Sequence, residues 1–208
     1  MTTVLIASSL EERPQPLAIN LPDSLSLSDE DFFELCRLNR DLRIERTANG
    51  EIVVMSPTGG ETGSRGSEIN MQLRQWAKRD GTGEAFDSST GFKLPNGADR
   101  SPDAAWVLRS RLALLTAEEK RKFLPLCPSF VIELRSPGDK LRALQSKMEE
   151  YINSGAVLGW LIDPLTRRIH IYQAAAEPEV VDAANEISGE PTLPGFVLNL
   201  AEIWDPRI

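Results

Sequence analysis

The chain has 208 residues, of which 41% are hydrophobic and 26% charged, and this composition fits one compact domain with a sizeable core and excludes intrinsic disorder. The net charge of −8 argues against a protein whose whole surface binds nucleic acid. No apolar run approaches the roughly 18 residues that span a bilayer, and no basic residue precedes the short apolar stretch near the N-terminus, so the sequence predicts a cytoplasmic protein without a membrane partner.

The N-terminal part of the chain contains several prolines and a signal for the start of a helix. Residues 1–24 are polar and interrupted by proline, which predicts a flexible arm ahead of a single domain at 25–208. Ser28 and Asp31 form a pair resembling a capping box, so a helix is predicted to begin there and to end near Asn39.

A hairpin, a loop and a second helix are predicted next. Asn49-Gly50 lies between two short β-like runs, which is a strong hairpin signal. Residues 58–67, TGGETGSRGS, are rich in glycine and predict a loop. Apolar residues recur with helical spacing from Ile69 onward, so the helix is predicted to follow that loop and to end near Asp80.

The second half of the chain alternates predicted strands with two predicted helices. Apolar runs bounded by turn residues predict strands at about 84–88, 91–94, 103–108, 129–135, 157–163, 168–173 and 197–200. Helices are predicted at 116–123 and 140–153. This order of elements predicts an α/β (α+β) domain in which helices flank a mixed, twisted sheet.

The single histidine excludes many catalytic arrangements. His170 alternates with Ile169 and Ile171 in a predicted strand, which favours a solvated position on the polar face. A Ser-His-Asp triad, a Cys-His pair or an HExxH zinc site would have to be built from this one residue. The sequence contains no GxxxxGK[ST] or GxGxxG motif, and no organic cofactor is predicted. Carboxylates, lysines and arginines remain for chemistry.

Two acidic residues stand in apolar strands. Alternation along residues 130–135 places Glu133 with Val131 and Arg135 on one face of its strand. Asp103 opens a run of alanine, tryptophan and valine. A buried ionised carboxylate costs several kcal/mol unless a cation or hydrogen bonds compensate it. Each acid taken alone is compatible with a structural salt bridge or a turn cap.

Five segments carry a resemblance to a known family. They are SPTGGETG at 56–63, NGADRSPDAAWV at 96–107, FVIELRSP at 130–137, KMEEY at 147–151 and GWLIDP at 159–164. The order of Pro102-Asp103, then Glu133, then a helix with a lysine resembles the PD-(D/E)XK nuclease pattern. Over roughly residues 28–204 the chain resembles the Uma-type family of restriction endonucleases. The resemblance implies a restriction-endonuclease-like fold.

The resemblance also implies DNA hydrolysis that depends on Mg²⁺, with Mn²⁺ as a substitute. Asp103 and Glu133 are the metal ligands it implies, and Mg²⁺ prefers one or two carboxylates plus waters. The superfamily places a lysine two residues after the glutamate, whereas this chain has Arg135, which cannot act as a base and is predicted to bind a phosphate or a carboxylate. Helical spacing places Lys147 beside the buried face of the following helix. Lys147 is therefore predicted as the catalytic lysine, with Lys140 as its competitor.

A further carboxylate is implied at the start of the second helix, where this superfamily often contributes a glutamate. Glu61 and Glu68 are both candidates for this metal ligand, and the sequence does not separate them. An acid in the first turn is also ordinary helix-dipole chemistry.

The predicted function is a metal-dependent endonuclease acting on DNA, and two alternatives stay open. One is an inactive nuclease-fold module that binds DNA or a protein partner, and the other is a structural oligomerisation domain. Residues 174–208 hold seven acids and one arginine, a net charge of −6, so this segment is expected to lie away from DNA. Its apolar residues are expected to pack on the sheet or on a second subunit, because a homodimer would present two sites to a duplex.

Overall fold

Residues 17–21 and 27–208 are described by the structure, a computed structural model of the chain. The strands are β1 (Leu17–Ile19), β2 (Arg43–Arg46), β3 (Ile52–Met55), β4 (Gly83–Asp87), β5 (Phe92–Lys93), β6 (Asp99–Arg100), β7 (Ala104–Leu108), β8 (Phe130–Leu134), β9 (Leu158–Asp163), β10 (Arg168–Gln173), β11 (Glu179–Asp182), β12 (Glu186–Ser188) and β13 (Val197–Asn199). The helices are α1 (Asp29–Leu38), α2 (Gly60–Asp80), α3 (Arg109–Leu112), α4 (Leu141–Asn153) and α5 (Ala201–Trp204), and a 3-10 turn lies at Glu119–Arg121. Among these described helices, none has both the length and the apolar character needed to cross a membrane.

A six-stranded sheet forms the centre of the fold, in the order β11-β10-β9-β8-β7-β4. β8 and β9 are parallel and the other neighbours are antiparallel, so the sheet is mixed. One face packs against α2 through a core that includes Leu73 and Trp76. The other face packs against α4 through a core that includes Met148 and Tyr151. The predicted α/β (α+β) class, with helices flanking a mixed, twisted sheet, is confirmed.

Alternation along β8 explains how this strand serves two cores. Phe130 and Ile132 belong to the core on the α2 side, and Val131 belongs to the core on the α4 side. Glu133 shares the face of Val131, because the two residues are two positions apart. Its carboxylate therefore points toward α4, as the contacts of the site below require.

A smaller sheet carries the predicted hairpin. Its strand order is β1-β3-β2-β6-β5, with antiparallel pairing throughout, and α1 packs on it through Phe32 and Ile44. The predicted start of α1 is confirmed, because the hydroxyl of Ser28 accepts the Asp31 N–H at 3.1 Å. The predicted hairpin is confirmed as well, and Gly50 supplies the left-handed turn conformation with a φ of 85°.

The glycine-rich stretch predicted as a loop is helical from Gly60 onward, so that prediction is wrong for most of its length. A glycine inside a helix costs about 1 kcal/mol relative to alanine, which is why the composition favours a loop. Tertiary contacts offset this cost. Arg65 donates to the carbonyl of Ile203 at 2.8 Å and to that of Trp204 at 3.5 Å, which fastens the first turns of α2 to α5.

The helix predicted at 116–123 is reduced to a single 3-10 turn. Its predicted cap forms, since the Thr116 N–H donates to the Glu119 carboxylate at 2.7 Å and the Glu119 N–H donates to the Thr116 hydroxyl at 3.2 Å. After this turn the backbone of Leu124 bonds to Gly91 and Lys93, at and beside β5, so its N–H is not available to a continuing helix. Phe123 packs edge-on against Phe32 with ring centroids 5.9 Å apart.

His170 is only 8% exposed, so the predicted solvated position is wrong. The alternation along its strand is real, but Tyr172 on the same face of β10 belongs to the core on the α4 side, so this face is covered. The neighbouring strand β11 was not among the predicted strands. Burial lowers the pKa of His170, because it disfavours the charged imidazolium.

The acidic C-terminal segment packs on the α2 side of the main sheet. Leu193, Phe196 and Trp204 belong to that core, which confirms the expected packing of these residues on the sheet. Val180 and Val197 remain 47% and 46% exposed. Contact of this segment with a second subunit stays a prediction.

The predicted N-terminal arm, residues 1–24, is described only at 17–21. Residues 1–16 and 22–24 lie outside the described residues. Leu17–Ile19 differs from a flexible arm, because it forms β1 and pairs antiparallel with β3. The edge strand β3 of the hairpin has unpaired backbone donors and acceptors, and the three residues of β1 form hydrogen bonds with them.

Candidate active site

The ends of two adjacent strands bring Asp103 and Glu133 together. β7 and β8 pair antiparallel as far as Ala104 and Ile132, so the two acids are the next residues on their strands. Asp103 Oδ2 accepts the Leu134 N–H at 2.8 Å, which ties this carboxylate to β8. The Glu133 side chain is 4% exposed. The two predicted acids therefore lie at neighbouring strand positions, Glu133 buried and Asp103 partly exposed, at 22% of its side chain.

Helix α4 brings a lysine to these acids. Lys147 Nζ lies 2.9 Å from Glu133 Oε1 and 2.9 Å from Glu45 Oε1, and its side chain is 12% exposed. Gly159 on β9 leaves room for α4, because a Cβ there would overlap the terminal methyl group of Met148, which would have to shift. Helical spacing placed Lys147 at the flank of the buried face, and the contact with Glu133 agrees with that placement.

Tyr151 and Glu45 complete the surroundings of Lys147. Tyr151 lies one turn further along α4 and donates its hydroxyl to Glu133 Oε1 at 3.0 Å. Glu45 comes from β2, accepts the Ser101 N–H at 3.0 Å and has a side chain that is 3% exposed. The ammonium of Lys147 is thus held between carboxylates from two different sheets.

A chain of ion pairs joins the hairpin to α4. Arg100 Nη1 lies 3.1 Å from Glu45 Oε2, and Arg100 Nε lies 2.6 Å from Glu150 Oε2. Glu150 also accepts a hydrogen bond from the Asn96 side-chain amide at 2.9 Å. Because Glu150 is three residues after Lys147 on α4, these contacts hold both Glu45 and Lys147 in position.

Arg43 faces the same acids from the first position of β2. Its Nη1 donates to Asp103 Oδ1 at 3.1 Å, and its Nη2 donates to the carbonyl of Ser101. Burial acts to lower the pKa of Arg43, but the charges of Asp103, Glu133 and Glu45 raise it overall. Arg43 is therefore a second cation beside the strand-end acids.

Burial and neighbouring charges set opposite protonation tendencies for the two glutamates. Burial and the negative charges of Asp103 and Glu45 raise the pKa of Glu133 to about 7, although Lys147 acts against them. For Glu45, burial also acts to raise the pKa, but Lys147 and Arg100 lower it to about 2. The pKa of Lys147 is raised, because its two carboxylate neighbours outweigh the effect of burial. Lys147 is therefore positively charged at neutral pH.

Arg135 is directed to an acid outside this cluster. Its Nη1 donates to Asp163 Oδ2 at 2.7 Å, and Asp163 also accepts the Leu165 N–H and the Thr166 hydroxyl. Of the two kinds of partner predicted for Arg135, the structure gives a carboxylate. Lys140, the predicted competitor of the helix lysine, is exposed at the N-terminal cap of α4.

The structure does not bring the two predicted helix acids to this cluster. Glu61 pairs with Arg65 at 3.0 Å, and Glu68 accepts a hydrogen bond from Gln72 at 2.8 Å. Both of these partners bind the backbone of the C-terminal elements, at α5 and β13. The third carboxylate of the cluster is Glu45, a strand residue, in place of the helix glutamate that the resemblance implies.

The residues that sequence reasoning missed carry only weak signals. Arg43 and Glu45 alternate with Ile44, a pattern typical of the solvated face of a hairpin. Tyr151 falls in the apolar sector of α4, where a core position is the simpler interpretation. Nothing in these patterns indicates that the hairpin packs over α4.

A surface pocket adjoins the cluster on the side of Arg43. It has a volume of about 200 Å³ and is also lined by Asp41, Met55, Ser56 and Thr58. A larger pocket of about 240 Å³ lies beside α2, where Trp76 and Phe196 line it. Neither pocket is lined by Asp103, Glu133 or Glu45, and of the two only the smaller one is lined by a residue that contacts them, Arg43.

The strand-end acids fit a hard divalent cation. Within the described residues, no three His, Cys, Asp or Glu side chains form a preassembled metal site. Asp103 and Glu133 nevertheless supply oxygen donors from adjoining strands, and Mg²⁺ requires only one or two carboxylates when waters complete its shell. The raised pKa of Glu133 reflects burial and like-charge repulsion, and a bound cation would relieve both.

The fold and the site together define a class of protein. A mixed sheet between helices, with two carboxylates at its strand ends and a lysine reaching them from a helix, is a restriction-endonuclease-like arrangement. The profile of the Uma2 family, described as "Putative restriction endonuclease", matches residues 29–201, and the chain belongs to this family. The resemblance found in the sequence is thereby confirmed. No curated protein matches the chain.

A solved structure shares the fold. It is the crystal structure of "a putative nuclease belonging to DUF820 from Anabaena variabilis ATCC 29413". The two chains are 18% identical and superpose with a TM-score of 0.71, over 86% of this chain and 97% of that chain. At this identity the similarity concerns the fold alone.

Replacing Glu133 by glutamine should flatten the pH dependence of stability in the metal-free protein. The pKa of Glu133 is raised from 4.5 to about 7 in the folded state, so between these values the folded protein keeps a proton that the unfolded chain releases. The free energy of unfolding should therefore fall as the pH rises through this window, by up to about 3 kcal/mol at this residue. Urea unfolding in EDTA at pH 5, 6.5 and 8 measures the effect.

The matched control is Glu149→Gln, which changes an exposed acid on the same helix. We expect the control and the unmodified protein to give parallel stability profiles, with Glu133→Gln gaining on both as the pH rises. Three parallel profiles would contradict the raised pKa of Glu133.

Proposed function

We propose that this protein is a metal-dependent endonuclease that hydrolyses phosphodiester bonds of DNA. The observation that carries the proposal is the contact of Lys147 Nζ with Glu133 Oε1 at 2.9 Å, beside Asp103. Two carboxylates and a facing lysine are the groups that metal-assisted hydrolysis uses. Membership of a family described as "Putative restriction endonuclease" supports the same activity.

Asp103 and Glu133 are the proposed ligands of Mg²⁺, for which Mn²⁺ would substitute. When bound, the cation supplies positive charge that polarises the phosphoryl oxygen and acidifies an attacking water. Restriction-endonuclease-like families generally use divalent metals, which supports this assignment. The hydrogen bond from the Leu134 N–H would keep Asp103 oriented while it binds.

Lys147 is the proposed catalytic lysine, and it acts as a positioned cation. Its raised pKa keeps the ammonium protonated at neutral pH, so Nζ donates hydrogen bonds to the attacking water or to a phosphate oxygen. Glu45 and Glu133 restrict the direction of the ammonium. A donor fixed in advance stabilises developing negative charge without reorganising during the reaction.

DNA is the proposed substrate. Lys140 and Arg142 are exposed at the N-terminal end of α4, and they provide local positive charge in a chain whose net charge is −8. The acidic segment 174–208 contributes to the core on the opposite face of the sheet, where it would not repel the phosphates. A cytoplasmic location remains part of the proposal.

Digestion assays test the proposal directly. Plasmid and single-stranded DNA should be cut in Mg²⁺ or Mn²⁺ and left intact in EDTA, with cleavage followed by gel electrophoresis. Glu133→Gln, purified in parallel, controls for a contaminating nuclease because it removes one proposed metal ligand. Intact DNA of both kinds after incubation with the unmodified protein and Mn²⁺ would contradict the proposal.

A module that binds DNA or a protein partner without hydrolysis is the second candidate. The observation that favours it is that the strand-end acids already contact cationic side chains, Arg43 and Lys147. Retarded migration of DNA in a gel, with no cleavage in Mg²⁺ or Mn²⁺, would support this candidate over the endonuclease.

We also propose that the protein is a homodimer at micromolar concentration. A single site cuts one strand at a time, and a two-fold dimer presents two sites to a duplex. The exposed Val197 of the acidic segment adjoins Leu198 of the core on the α2 side, so it provides apolar surface away from the active face. Light scattering should give about twice the 23.0 kDa mass of the chain. A constant mass of one chain across that concentration range would refute the dimer and leave the nuclease proposal standing.

A further inference from the structure

Arg43 occupies the side of Asp103 that a metal ion would need. Asp103 Oδ2 accepts the backbone N–H of Leu134, so Oδ1 is the oxygen that the strand leaves free. Arg43 Nη1 donates to this Oδ1 at 3.1 Å. The guanidinium is thus a counter-ion for the free oxygen of Asp103.

A divalent cation and this guanidinium would repel each other. An ion bound to Asp103 would lie within a few ångströms of the Arg43 head group, and like charges at such separations repel strongly where water is partly excluded. Arginine cannot release its proton to relieve the repulsion. Relief therefore requires that the Arg43 side chain move.

Arg43 has fewer carboxylate partners and a more exposed side chain than Arg46 and Arg100, the other two arginines in the strands of the smaller sheet. Arg100 and Arg46 each contact two carboxylates, with side chains 12% and 8% exposed. Arg43 contacts one carboxylate and one carbonyl, its side chain is 29% exposed, and its Nε has no hydrogen-bond partner among the described residues. The same side chain lines the pocket of about 200 Å³ beside the cluster, which offers space for another position.

We propose that Arg43 is a displaceable counter-ion of Asp103. It neutralises the carboxylate in the metal-free protein, leaves it when a divalent cation binds, and then contacts a phosphate of the DNA backbone. This role rests on the proposed function, because it assumes a metal at Asp103 and DNA as the substrate. Binding of the metal and formation of the phosphate contact are thereby coupled through one side chain.

Titration calorimetry with Mn²⁺ tests the displacement. Arg43→Gln and Arg43→Met remove the charge and should bind Mn²⁺ about tenfold more tightly than the unmodified protein, because no cation has to be moved away. Arg43→Lys keeps the charge and should stay within about threefold of the unmodified protein. The neutral variants should also melt at a lower temperature in EDTA and gain more from Mn²⁺, whereas a purely structural role would lower both melting temperatures equally.

The outcomes of the titration separate two failures. Unchanged or weaker Mn²⁺ binding by the neutral variants would overturn the role of Arg43 and leave the proposed function intact. Absence of Mn²⁺ binding in the unmodified protein would overturn the proposed metal site itself.

DNA binding tests the second position of Arg43. Cleavage is blocked with Lys147→Met, and duplex binding is measured at one ionic strength with Mn²⁺ and with EDTA. Adding Arg43→Gln should weaken binding about tenfold with Mn²⁺ and less than about twofold with EDTA, since only the displaced guanidinium contacts phosphate. Equal losses under both conditions, or no loss under either, would overturn the proposal.

Discussion

Replacing Asp103 by asparagine should remove both the stabilisation by Mn²⁺ and the cleavage of DNA. A ligand present at 100 times its dissociation constant adds about 2.7 kcal/mol to the free energy of unfolding. For a chain of this size that corresponds to a rise in melting temperature of about 5–10 °C. Asparagine can still accept the Leu134 N–H but lacks the charge that holds a divalent cation, so the rise should largely disappear. Thermal unfolding with EDTA and with saturating Mn²⁺ measures it.

Two helix acids provide matched controls for this experiment. Glu61→Gln and Glu68→Gln remove the carboxylates that the family resemblance implies, but whose contacts lie with Arg65 and Gln72. Both variants should keep the full rise in melting temperature. If either variant no longer shows the rise in melting temperature, that helix acid is a metal ligand after all. An unchanged melting curve of the unmodified protein in Mn²⁺ would refute the metal assignment.

Replacing Lys147 should abolish hydrolysis while leaving Mn²⁺ binding in place. Removal of one preorganised electrostatic donor typically costs a factor of about 10²–10³ in rate, and we expect at least this loss in Lys147→Ala. The change leaves both proposed metal ligands, Asp103 and Glu133, in place in the chain. The loss of hydrolysis is measured as the rate of DNA cleavage. The affinity for Mn²⁺ is measured by titration calorimetry on the same preparation.

Folding must be secured before the loss is interpreted, because Lys147 compensates two buried carboxylates, Glu45 and Glu133. Lys147→Met retains most of the side-chain volume and should show the same loss, with circular dichroism confirming the fold of both variants. Lys140→Ala changes the exposed lysine at the start of α4 and should retain activity. Arg135→Lys should also retain activity if Arg135 serves only as a positioned charge. Activity surviving in Lys147→Ala but lost in Lys140→Ala would show that the catalytic lysine is Lys140.

Local patterns in the sequence determined the elements that depend on short-range physics. The Ser28 cap, the Asn49-Gly50 hairpin and alternation along β8 each follow from neighbours within a few residues. The same alternation placed Glu133 on the face of Val131, and helical spacing placed Lys147 at the flank of the buried face of its helix. These side chains could therefore be predicted to approach each other before any tertiary contact was known.

Tertiary structure alone decided how the cluster is completed. Glu45 enters because the smaller sheet packs over α4, and Arg100 joins the two through Glu45 and Glu150. Charged residues on one face of a hairpin predict that this face is exposed to solvent. Whether another element covers the face depends on the assembled fold. The burial of His170, on the face of β10 that is turned toward α4, has the same origin.

The helical start of α2 shows this limit most clearly. Glycine-rich residues from Gly60 favour a loop by propensity, yet the bonds from Arg65 to the α5 carbonyls hold them in a helix. Those bonds join positions 138 and 139 residues apart in the chain, which no local pattern can report. The sequence by itself therefore determined the class of fold and the paired strand acids, and long-range contacts decided which third carboxylate and which cations surround them.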